Sequence, residues 1–176
     1  MTRIYAAAIS LAFVLSAGAA MAADSGYRVI ERIPGPDGSW DYVRVDPQNN
    51  RLLVAHGASV MAVDLTTNAV TPGLAPGVML HDPLPLKAGA ELLVTNGGTS
   101  TAVFYDTKSG APTATVKTGA GPDAAAFDAH SGLVLVMDHR GGDVTLIDGA
   151  THKAVGAIAV GGDLEAAAVD GKAGRS

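Results

Sequence analysis

Four carboxylates recur along the chain at nearly constant intervals: Asp41, Asp82, Asp123 and Glu165. Carboxylates drawn close together repel, and a cation, an arginine or protonation relieves the repulsion. One such group entering each structural repeat at the same point would form an acidic arc, a seat for a cation or a polar, cationic ligand. The commoner role is local, because an Asp in a loop caps its own turn by accepting backbone N–H bonds. Hard cations want several oxygens converging within bonding distance. Spacing alone does not show that convergence, so the question of a metal stays open. Trp40, the single tryptophan, directly precedes Asp41. It either stacks on a ligand or packs between neighbouring elements, the usual fate of a large aromatic.

Other chemistry is sparse. HExxH, GxSxG, a Walker A loop and a complete GxGxxG are all absent from the sequence, which leaves no recognised catalytic motif. The stretch "GAGPD" at 119–123 enters a strand rather than a helix, so it is no phosphate cradle. The chain has no cysteine, hence no disulfide framework, thiolate metal site, CxxCH haem attachment or lipidated N-terminal Cys. No cofactor is expected. Of the five histidines, His130 and His152 fall at turns, which leaves His56, His81 and His139 as candidates for function.

The elements that must position these residues are strands. Asp64, Asp106 and Asp148 are evenly spaced, and Asp46, Lys87, Asp128 and Asp170 keep nearly the same interval. Together with the carboxylates, three independent series share one period of about 42 residues. The third unit shows its content: "DAAAFD" (123–128), "LVLVMD" (133–138), "DVTLID" (143–148) and "KAVGAIAV" (153–160). Alternation and β-branched residues argue for strand, and no run is long enough for a helix. Asn68, Gly110 and His152 sit at equivalent tight turns shortly after a closing Asp, and Asn50, Gly89 and Gly132 mark the earlier hairpin. Four antiparallel strands repeated at such a period describe a β-propeller blade. A Greek-key sandwich would not require a constant period.

Residues 1–22 read as a signal peptide: Arg3, an apolar stretch from Ile4 to Ala17, and Ala20-Met21-Ala22 as a small-x-small cleavage site. Ala, Gly and Ser dominate its second half, which favours cleavage near Ala23 over an uncleaved anchor. Loss of Arg3 takes the net charge from −5 to −6. Nothing resembles the clustered basic face of a nucleic-acid binder, and no second apolar run is long enough to span a bilayer.

The chain resembles the YVTN-repeat (YncE-like) propellers over about residues 27 to 172. The strand ending that names the family stands here as Leu93-Val94-Thr95-Asn96. Further likeness lies in "GSWDYVRVDPQNNRLLVAHGASVMAVDLTT", "TGAGPDAAAFDAHSGLVLVMD" and "GGDLEAAAVDGK". The resemblance implies seven blades, or roughly 290 residues. A chain of 176 residues then supplies units at about 39–79, 80–121 and 122–162 and the start of a fourth at 163–176. "YRVIERI" (27–33) is expected as the outermost strand of a last blade and 164–170 as a lone innermost strand, with the further C-terminal blades missing. Pro83 and Pro85 interrupt the innermost strand of the second unit, which should be irregular or paired on one side only.

The resemblance also implies a shared face. His81 would lie in a blade-to-blade connection, and His56 and His139 in connections between second and third strands. The same face would carry Asn96, Asp138, Arg140, Asp143 and the carboxylate series. The function so implied is an exported binding or interaction scaffold that takes an unknown small molecule or protein at that face. An alternative is a fragment of a periplasmic propeller enzyme, lactonase-like or the large subunit of a dehydrogenase, and a third is a truncated product without independent function. A lactonase would need a converging Glu/Asn/Asp set, of which the chain holds part. A dehydrogenase subunit would need a partner that carries the cofactor.

Overall fold

A computed structural model describes residues 26–173; the signal peptide read at 1–22 lies outside them. Two compact units divide the chain, one ending at Arg32 and one beginning at Ile33. In the first, the described residues form no strand, and the expected outermost strand at 27–33 is not there.

Among the described residues, the second unit holds twelve strands in three antiparallel sheets of four. The first comprises β1 (Trp40–Asp46), β2 (Arg51–His56), β3 (Ser59–Asp64) and β4 (Val70–Pro76), in that spatial order. The second comprises β5 (Leu80–Leu86), β6 (Glu91–Asn96), β7 (Thr101–Asp106) and β8 (Pro112–Lys117). The third comprises β9 (Pro122–Asp128), β10 (Leu133–Asp138), β11 (Asp143–Asp148) and β12 (Lys153–Ala159). The first strands lie together, β5 packing against both β1 and β9. These are propeller blades, all-β, with their innermost strands gathered at an axis.

Alternation builds the core. Leu92 and Val94 of β6 pack toward Leu53, Val60 and Ala75 of the first sheet. Leu93 points the other way and joins Phe104 with Val134, Val136 and Ile147 at the third sheet. Successive strand residues face opposite sides, so the middle sheet is apolar on both. The turns are held by the closing Asp residues. Asp64 Oδ1 accepts N–H bonds from Thr66 and Thr67, Asp106 Oδ1 from Lys108 and Ser109, and Asp148 Oδ1 from Ala150 and Thr151. Hydrogen bonds hold each carboxyl below the usual range, at Asp106 first the Ser109 hydroxyl, and at Asp64 and Asp148 first the Thr67 and Thr151 N–H groups with the hydroxyls of the same residues beside them. Asn68, Gly110 and His152 take positive φ in these turns.

Each innermost strand carries a β-bulge near its start. Trp40 pairs His56 and Val43 pairs Val54, so Asp41 and Tyr42 together oppose Ala55. In the same way His81 and Asp82 oppose Thr95, and Asp123 and Ala124 oppose Met137. The prolines of β5 are therefore not the cause of its irregularity, since all three strands share it. They are tolerated because β5 is a sheet edge, hydrogen-bonded only to β6. The bulge also corrects the spacing argument. By pairing, Asp41 matches His81 and Asp123, whereas Asp82 matches Tyr42 and Ala124. Likewise Leu86, not Lys87, closes β5 as Asp46 and Asp128 close β1 and β9. The expected innermost strand at 164–170 is no strand. It has a single bridge residue, Asp170, and its first residue, Leu164, packs against the third sheet instead of pairing with it.

The innermost strands are tied by one buried carboxylate. Arg44 of β1 donates from Nε and Nη2 to Asp82 Oδ1 and Oδ2 at 2.7 and 2.5 Å, and Asp82 Oδ2 also accepts the Ala125 N–H of β9 at 2.8 Å. Arg44 Nη2 reaches the Ala125 carbonyl at 2.9 Å. Asp82 is fully buried. Removing one partner of a buried ion pair strands the other charge. Arg44→Ala should therefore cost about 3 kcal/mol of unfolding free energy, read from urea denaturation. A loss under about 0.5 kcal/mol, the scale of an ordinary surface change, would show that the tie is not structural.

Candidate functional site

The bulges aim three equivalent side chains at one place. Asp41, His81 and Asp123 occupy the second positions of β1, β5 and β9, and bulges are a common device for re-aiming side chains beside sites. His81 Nδ1 is 2.7 Å from Asp41 Oδ2 and 3.5 Å from Asp123 Oδ1. Glu165 reaches the same spot from the segment after the third sheet. That segment is held across the axis by Tyr42, whose hydroxyl donates to the Glu165 carbonyl at 2.6 Å. His139, just after β10, places Nδ1 3.1 Å from Glu165 Oε1. That ring nitrogen is shielded from solvent and faces the Glu165 carboxylate, although the side chain as a whole is a third exposed.

Glycines leave room for these rings. A Cβ on Gly97 would stand 2.5 Å from His81 Nε2. Gly121, at φ +64°, would put one 2.8 Å from Arg140 Nε. Between them lies a cavity of about 120 Å³ lined by His81, Asp123, His139 and Arg140 among others. Arg140 is fixed at its rim by donating to the Gly97 carbonyl at 3.1 Å.

The remaining residues expected at this face do other work. Asp82 is the buried tie described above, a correction to its place in the acidic arc: one step along the strand puts it on the opposite side of the bulge. His56, Asn96 and Asp138 each end the second strand of a blade and are buried. His56 Nε2 lies 3.0 Å from the Pro36 carbonyl, and Asn96 Oδ1 accepts the Val78 N–H at 3.0 Å. Both hold the segment that leads into their own innermost strand. Asp138 Oδ2 accepts the Thr145 hydroxyl at 2.6 Å, and burial pushes its carboxyl up. Trp40 is half exposed and lies edge-on to the His56 ring at 4.4 Å, so it braces the entry to β1. Asp143 pairs opposite Asp138 across the β10–β11 hairpin.

Asp41, Asp123 and Glu165 do not cap their own loops. They face histidines and one another. Sequence reasoning missed Tyr42 and Arg44. Their signal was weak: both sit in "WDYVRVD", where a polar group mid-strand hinted at an inward role.

In comparisons by sequence, no protein family and no curated protein matches this chain. Solved structures do match. The chain is similar to hydrazine synthase of Kuenenia stuttgartiensis, with TM-score 0.62 and 21% identity, over 81% of this chain and 40% of that one. It is also similar to the dihydro-heme d1 dehydrogenase NirN in complex with DHE, with TM-score 0.56 and 16% identity, over 69% of this chain and 28% of that one. The likeness is one of fold. This chain spans less than half the length of either neighbour.

The electrostatics of the cluster follow from its geometry. Burial pushes the Asp123 carboxyl up to about 6, His81 opposes the rise, and the neighbouring Asp41 and Glu165 carboxylates add to it. The neutral form is therefore favoured in the folded protein over the unfolded chain. Between about pH 4 and 6 the folded state holds the extra proton, so this contribution to stability is lost as pH rises through that window. Asp41, Glu165, His81, His139 and Arg140 surround Asp123 in both wild type and Asp123→Asn, so comparison of the two isolates one carboxyl. In chelator-containing buffer, the unfolding free energy of Asp123→Asn relative to wild type should rise between about pH 4 and 6.5. A pH-independent difference would place Asp123 in an ordinary environment.

Proposed function

We propose that this chain belongs to an exported YVTN-type β-propeller that serves as a binding scaffold, and that the axial mouth is its binding seat for a divalent cation. One observation carries the reading: Asp41, His81, Asp123, His139 and Glu165 come from three blades and a following segment, yet gather their donor atoms at one mouth. Each triad, Asp41–His81–Asp123 and Asp123–His139–Glu165, has its ligand atoms within 4.8 Å of one another. Burial, with the neighbouring charges of Asp41 and Glu165, disfavours the ionised form of Asp123, and a bound cation offsets that cost. Mixed imidazole and carboxylate donors suit zinc or manganese.

Export is part of this proposal and rests on the leader read in residues 1–22. Among the described residues no helix is long and apolar enough to cross a membrane. Enzymatic turnover on the same seat, as the enzyme reading would have it, needs a substrate group that the cluster does not identify.

Titration of the chelator-stripped protein with Zn²⁺, followed by calorimetry, tests the seat. Saturable binding should appear, and His81→Ala should weaken it at least tenfold while the β-sheet circular dichroism spectrum stays unchanged. Gly97→Ala removes no donor but forces the His81 ring aside, so it too should weaken binding, by several-fold. Affinity unchanged in both variants would remove the mouth as the seat.

A further inference from the structure

We infer that the mouth holds two divalent metal ions bridged by the Asp123 carboxylate, an inference that rests on the mouth binding cations at all. Donor atoms on one zinc ion sit at roughly 2.1 Å from it, so no two of them can be more than about 4.2 Å apart. Each triad is gathered on nearly that scale, within 4.8 Å, but the five donor residues do not form a single such group. One ion cannot take all five as they stand. Asp123 is the member common to both triads. A carboxylate has two oxygens, and each can serve a different ion.

The two halves are built alike. Asp41 and His81 supply an oxygen and a nitrogen on one side, and Glu165 and His139 supply an oxygen and a nitrogen on the other. His81 Nδ1 lies 2.7 Å from Asp41 Oδ2, and His139 Nδ1, shielded from solvent, lies 3.1 Å from Glu165 Oε1. In each half the imidazole nitrogen and the carboxylate oxygen are close enough to share one ion. Three carboxylates facing two ions, with Arg140 at the rim, leave a net positive charge on the site, which favours an anionic further ligand. Each ion has three protein donors and open positions toward the cavity of about 120 Å³. Open positions characterise metal sites that bind a further ligand rather than structural ones, and paired ions sharing a carboxylate clamp such a ligand from two sides.

Stoichiometry decides the matter. Untagged full chain, stripped with chelator, is titrated with Zn²⁺ by calorimetry, and bound metal is counted after dialysis. Wild type should bind two ions. Asp41→Asn and His139→Ala should each bind one, and Asp123→Asn should weaken both ions at least tenfold. Loaded with Mn²⁺, wild type should give a spin-coupled electron paramagnetic resonance spectrum, replaced in His139→Ala by that of an isolated ion. A single ion in wild type would overturn the bridge and leave the cation seat standing. No ion would overturn both. Two ions that persist in Asp123→Asn, or that show no spin coupling, would also overturn the bridge. Should Asp123→Asn fail to fold, Glu165→Gln, at a side chain 68% exposed, serves instead: retention of both ions would sink the inference and loss of one would support it.

Discussion

Asp82 is the group on which the rest of the architecture depends. A carboxylate with no solvent exposure, placed among three blades, is tolerable only if both of its oxygens are hydrogen-bonded. They are, by the two-pronged bond from Arg44 and by the Ala125 N–H. Since those partners come from β1 and β9, satisfying one charge fixes the spacing of all three innermost strands. The arginine in turn lies over the Tyr42 ring, 5.8 Å from its centroid. Tyr42 then reaches across to the Glu165 carbonyl. A chain of contacts therefore locks the axis, and each would loosen if the carboxylate at its centre were removed.

The same constraint makes the mouth. Asp82 and His81 are neighbours in one bulge, so anchoring Asp82 inward obliges His81 to point the other way, toward Asp41 and Asp123. Equivalent bulges in β1 and β9 repeat the turn for those two residues. A second pin comes from Thr95, which accepts the Asp82 N–H at 2.9 Å and donates to the Asp123 carbonyl at 2.5 Å. The donors are thus carried on strands whose own bonds are complete, a rigid support of the kind that binding constellations need. Stability and site draw on different residues, even where they are adjacent in sequence.

Much of this is legible in the residues themselves. The four-strand unit follows from the alternation, and the turns from Asn68, Gly110 and His152 after their closing Asp. The carboxylate arc is also visible at Asp41, Asp123 and Glu165, and His81, His139 and Arg140 stand out as belonging to its face. His56 and Asn96 are not separable from them by sequence. Their polar atoms are consumed by the backbone entering β1 and β5, and such partners are close only after the blade has folded.

Sequence by itself determined a repeating all-β chain with one polar group entering each innermost strand, because hydrophobic alternation and turn residues are local properties. The tertiary structure alone decided which of two adjacent residues, His81 or Asp82, belongs to the mouth. Spacing points to Asp82, which stands midway along the chain between Asp41 and Asp123. Hydrogen-bond register gives that place to His81, because the advance from Trp40 to Leu80 is shorter than the advance from Leu80 to Pro122. Side chains alternate along a strand with a period of two, so a shift of a single residue exchanges a buried tie for an open ligand. That shift is fixed by pairing across the sheet, which residue spacing does not encode.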